Sequence, residues 1–152
     1  MKTMLFTVLL SLCFFSLKAQ TITVINNSGC KINYYLSAAK PGCTTSTSTI
    51  NYGILPGATN SYTFSSATWT GPTPSAGWEW QFIKEWNGCG TYSFLFPNCS
   101  GGVNYNVCGV GIPCSGLPTS SCMKIDTSCN LCTGIKTEWI PTGGGNVTVK
   151  IW

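Results

Sequence analysis

The chain has 152 residues, with eight Lys, no Arg, four acids and no His. That length suits one domain rather than two. Without His there is no Ser-His or Cys-His catalytic pair and no His-dependent zinc site, and without Arg no bidentate grip on phosphate or carboxylate.

Residues 1–19, MKTMLFTVLLSLCFFSLKA, place Lys2 before an apolar stretch from Leu5 to Phe15 and end on the small Ala19. This is the layout of a secretory signal peptide, too short for a stable membrane span. Cleavage after Ala19 removes 19 of the 152 residues and leaves 133, with six Lys, four acids and a net charge of +2. So small a charge gives no reason to expect nucleic acid or an anionic membrane as partner. No later stretch is long and apolar enough to span a bilayer as a helix. The expected domain is 20–152, secreted, or periplasmic if the host is bacterial.

Alternation of apolar and polar residues then recurs, the mark of half-buried strands. Ile22 and Val24 alternate with Thr21 and Thr23, and Asn26-Asn27-Ser28-Gly29 supplies a turn. Ile32, Tyr34 and Leu36 share one face, opposite Lys31, Asn33 and Tyr35. Ile50 with Tyr52, and Tyr62 with Phe64, mark further strands around the turn Leu55-Pro56-Gly57. After the Pro-rich loop 70–77, Trp78, Trp80 and Phe82 are expected on one face, with Glu79, Gln81 and Glu85 on the other. Tyr92, Phe94 and Phe96 alternate, as do Val103, Tyr105 and Val107, whereas 109–121 reads as irregular. Ile135, Thr137 and Trp139 face one way; Gly143-Gly144-Gly145 connects a hairpin; Val147, Val149 and Ile151 finish the chain. Short strands between turn residues, with no amphipathic helix and no internal repeat, predict an all-β fold: one disulfide-stapled antiparallel β-sandwich with a Cys-rich loop region.

Nine cysteines follow the leader: Cys30, Cys43, Cys89, Cys99, Cys108, Cys114, Cys122, Cys129 and Cys132. In an oxidising compartment they read as up to four disulfides and one unpaired thiol. Short loop closure favours Cys30–Cys43 and Cys89–Cys99. Cys129-Asn-Leu-Cys132 reads as a structural bridge, since no second such pair and no His accompany it. No metal and no cofactor is expected.

The run Ile22-Thr23-Val24-Ile25-Asn26-Asn27-Ser28-Gly29-Cys30-Lys31-Ile32-Asn33-Tyr34, followed by Leu55-Pro56-Gly57, Tyr62-Thr63-Phe64 and Gly77-Trp78-Glu79-Trp80, resembles the opening of thaumatin-like proteins. It is also similar to the openings of small exported bacterial proteins with no assigned activity. The resemblance spans about the first half of the mature chain. The chain is shorter than that family and lacks its acidic cleft pattern and most of its cysteines, so no functional residue carries over. The resemblance implies a sandwich and a carbohydrate- or surface-facing role.

The acids are Glu79, Glu85, Asp126 and Glu138. A glycosidase needs two carboxyls about 5–10 Å apart, whereas Glu79 and Glu85 lie about 20 Å apart along a strand. Glu79 with Glu138 is the one pairing left open, and solvated surface charge is the expectation for all four. Trp69, Trp86 and Trp152 fall outside the alternating core pattern and are the candidate binding residues, their rings suiting a sugar or a protein partner. Asn26, Asn98 and Asn146 each open an N-x-S/T sequence. The expected function is non-catalytic binding of a glycan or cell-surface protein; the alternatives are a structural or adhesion protein, or a small toxin or inhibitor.

Overall fold

The computed structural model describes residues 20–86, 107–117, 119–123 and 135–152. The leader, the pair Cys89–Cys99, Asn98, Asp126, the strand expected at 92–96, all but Val107 of the strand expected at 103–107, and the 129–132 motif lie outside them. The architecture is all-β, two sheets face to face. The first sheet runs β5 (Thr59–Thr63), β1 (Thr21–Asn26), β10 (Asn146–Ile151), β9 (Ile135–Gly143) and β8 (Ser120–Met123). The second runs β3 (Ser46–Ser48), β2 (Ile32–Ala39), β6 (Glu79–Trp86) and β7 (Val107–Gly111), with β4 (Tyr52–Ile54) sharing the β3 edge of β2. The stretch expected to be irregular, 109–121, thus supplies the end of β7 and the start of β8.

The inward residues of the first sheet include Ile22, Val24, Val147, Val149, Ile151, Ile135 and Trp139, at the parity that alternation predicts. They meet Ile32, Tyr34, Leu36, Ile54, Trp80, Ile83 and Val110 of the second. β9 and β10 form a hairpin whose three glycines, 143–145, all have positive φ, a backbone that glycine adopts without steric cost. That hairpin sits at the centre of its sheet, because β10 pairs in parallel with β1.

β6 departs from the expected pattern. Its register against β2 shifts between Ser37 and Ala38, so Ser37 opposes Phe82 while Ala38 opposes Trp80. Gln81 is the extra residue, and a bulge of this kind reverses the alternation beyond it. Trp78 and Trp80 face the core as expected. Phe82 does not: Ile83 and Glu85 take the inward positions, and Phe82 and Lys84 are only half-buried.

The expected Cys30–Cys43 bridge is replaced by Cys43–Cys114, closed over a separation of 71 residues. Strand direction explains the change. Cys30 and Cys43 stand at opposite ends of the eight-residue β2, about 26 Å at ~3.3 Å per residue. β2 and β7 both run antiparallel to β6, so the 3-10 turns that follow them, Pro41–Cys43 and Pro113–Ser115, leave the same end of the sheet. Gly111 lets the second turn fold back: a Cβ there would fall 2.5 Å from the Gln81 carbonyl and 2.8 Å from Ser115 Oγ. A loop of this length is worth about 4 kcal/mol in chain entropy. Cys30 is disulfide-bonded too, to neither Cys43 nor Cys114.

Asn26 opens an N-x-S sequence but is fully buried. Its amide nitrogen points at the carbonyls of Cys30 (2.6 Å), Ile54 (3.3 Å) and Leu55 (3.2 Å). Its Oδ1 accepts from Ser28 N–H at 3.0 Å and Ser28 Oγ at 2.5 Å. One side chain thereby ties the β1–β2 turn to the β4–β5 turn. Asn26→Ala strands those carbonyls in the interior, and urea unfolding should show a loss of about 3 kcal/mol or more, at roughly 1–3 kcal/mol per unsatisfied group. A loss below about 1 kcal/mol contradicts the assignment.

Candidate binding face

The outer surface of the second sheet carries polar contacts at one end and aromatic side chains farther along. At the polar end, Ser37 Oγ donates to the Thr47 carbonyl and to Gln81 Oε1, both at 3.0 Å. The bulged Gln81 in turn directs Nε2 at Cys43 Sγ, 3.1 Å away. Toward the other end stand Asn33 and Tyr35 of β2 and Phe82 and Lys84 of β6, all half-buried. The Tyr35 and Phe82 rings meet edge to face, centroids 6.0 Å apart at 76°. Lys84 Nζ lies 5.3 Å from the Phe82 centroid, within cation–π range. Burial pushes the Tyr35 hydroxyl pKa up. A Cβ on Gly53 would lie 3.4 Å from both Asn33 Oδ1 and Lys31 Cε, which sets the exposed Lys31 beside Asn33. Rings, an amide and two ammonium groups therefore share one pleated face.

The tryptophans do not gather on a single face. Trp69 stacks on Trp80, centroids 5.7 Å apart at 25°, with Phe64 beside both. Its indole N–H donates to the Phe64 carbonyl at 2.8 Å. Trp80 N–H reaches the Gln20 carbonyl, which puts this cluster at the start of β1. Trp152 follows Ile151, which lies opposite Asn26 at the far end of β1. It is 39% exposed, with Lys136 Nζ 5.1 Å from its ring. Trp69 and Trp152 thus occupy opposite ends of the molecule. Trp86 ends β6, in register with Asn33; its side chain lies outside the described residues.

The described acids do not converge either. Glu79 is exposed, and its neighbour Trp80 points inward, so Glu79 sits on the outer side of the second sheet. Glu138 alternates with the buried Thr137 and Trp139 on the other sheet, and pairs with Lys136 at 3.5 Å. Glu85, expected as surface charge, is fully buried because of the bulge. Thr137 Oγ1 donates to Glu85 Oε2 at 3.0 Å across the two sheets, while Oε1 is buried with no partner among the described residues. Desolvation raises its pKa to about 8, only partly offset by the Thr137 hydrogen bond, so Glu85 is a neutral carboxyl over most of the physiological range. Among the described residues there is no cluster of His, Cys, Asp or Glu that could hold a metal, and no helix long and apolar enough to cross a membrane.

The raised Glu85 pKa has a sign. Between its ordinary value of 4.5 and about 8, the folded chain holds a proton that the unfolded chain releases, so stability falls as pH rises. The loss across that window should be on the order of 3–5 kcal/mol. Urea midpoints measured from pH 5 to pH 8.5, roughly spanning the window, should fall in the native chain and stay nearly level in Glu85→Gln. A flat native profile contradicts a buried carboxyl at this position.

Comparison with known protein families, curated proteins and solved structures finds no match for this chain.

Proposed function

We propose that the chain is exported, loses residues 1–19, and acts outside the cytoplasm as a non-catalytic module that binds a neutral carbohydrate, or a similar polar component of a cell surface, through the Tyr35–Phe82 face. The observation that carries this reading is the pair of half-buried aromatic rings on a stiff sheet, flanked by Asn33, Lys31 and Lys84. Aromatic rings offer apolar faces to the C–H faces of a sugar, and the Asn33 amide and the Lys31 ammonium are of a kind that donates to its hydroxyls. The sheet holds both rings before the ligand arrives, which reduces the entropy lost on binding. A surface-facing role is also what the thaumatin-like opening implies.

The mature protein should bind on a glycan array. Tyr35→Ala and Phe82→Ala should each weaken binding by about tenfold or more, roughly 1.4 kcal/mol, and Trp152→Ala should leave it unchanged. No binding to any glycan, or binding indifferent to both ring deletions, rejects this face.

A further inference from the structure

Gln20 immediately precedes β1 and is held from several sides. Trp80 Nε1–H donates to its carbonyl at 3.2 Å, and the next N–H, of Thr21, donates to Asn146 Oδ1 at 2.8 Å. Its side chain lies against the β9–β10 turn. A Cβ added to Gly145 would fall 2.5 Å from Gln20 Cδ and Nε2 and 2.7 Å from Cγ, so the carboxamide rests on a bare α-carbon. Its Oε1 is buried with no hydrogen-bond partner among the described residues. A polar side chain is thus pressed into a slot that satisfies it poorly, a position that ordinarily costs stability.

We infer that in the mature protein Gln20 is a pyroglutamyl residue whose lactam ring seats on Gly145. The inference rests on the proposed export, since cleavage after Ala19 makes Gln20 the amino terminus. Its free α-amine then attacks its own Cδ. The new Cδ–N bond closes a five-membered lactam, the Cδ–Nε2 bond breaks, and Nε2 leaves as ammonia with the proton given up by the amine. The step needs no oxidant, reductant or co-reactant. Closure removes an ammonium charge from beside the Trp69–Trp80 cluster and replaces an amide with two N–H donors by a compact ring with one. The missing Cβ of Gly145 leaves the room that ring needs.

Peptide mass spectrometry of the protein recovered from outside the cytoplasm tests this. The expected amino-terminal peptide begins at residue 20, is lighter than the Gln form by one ammonia, and resists stepwise degradation from its amino end. A peptide beginning at Gln20 with a free amine overturns the ring while export stands, as does a mature chain starting at any other residue after the leader. Retention of residues 1–19 overturns both. For the seating, pyroglutamyl aminopeptidase should release the ring from the reduced, unfolded chain and not from the folded one. Equal release from both shows that Gly145 does not hold it.

Discussion

The single extra residue at Gln81 sets the character of the second sheet. Before it, β6 turns Trp80 inward; after it, Ile83 and Glu85 are inward and Phe82 and Lys84 outward. The shift delivers an aromatic ring to the outer surface beside Tyr35. It also drives a carboxyl into the interior, where Thr137 of the opposite sheet is its partner. Gln81 itself is absorbed by Ser37 and Cys43, so the bulge is anchored beneath the Cys43–Cys114 bridge. Bulges of this kind often re-aim side chains near functional surfaces, and here one offset makes both the outward Phe82 ring and the buried acid.

A second constraint comes from chain order. The first strand of the domain pairs in parallel with the last, so the middle of the first sheet closes only when residues about 125 apart in sequence meet, as Thr21 and Asn146 do. Pairings of such separation are slow to form. Asn26 closes the other end of β1, gathering two turns onto one amide. Cys43–Cys114 adds a covalent link between the turns after β2 and β7. Polar and covalent ties thus hold loops in which large apolar side chains are few, as a small domain with a limited core requires.

Much of this was legible from residues alone where alternation runs unbroken. β1, β2, β9 and β10 place Ile22, Tyr34, Trp139 and Val149 inward as their spacing predicts, and three glycines marked the final hairpin. β6 was not legible, because Trp80-Gln81-Phe82 imitates simple alternation and nothing local marks the extra residue. The same error hid Phe82 as a surface ring and Glu85 as a core residue. Tyr35 carried a usable signal: it stands on the polar side of β2 with Lys31 and Asn33, where an aromatic ring is out of place. The tryptophans drew attention by irregular position, yet Trp69 is irregular because it packs between strands. Cysteine pairing depends on which strand ends coincide in space, and loop length ignores strand direction. Asn26 looked like a surface turn because its acceptors lie 28 and 29 residues away as well as nearby.

The reversal along β6 is most directly tested by hydroxyl-radical footprinting of the native protein, read residue by residue. Oxidation should mark Phe82 and Tyr35 well above Trp80 and Ile83, although Trp is intrinsically the more reactive side chain. Trp80 modified more heavily than Phe82 would place both rings on one face, remove the bulge at Gln81, and with it the outer aromatic face.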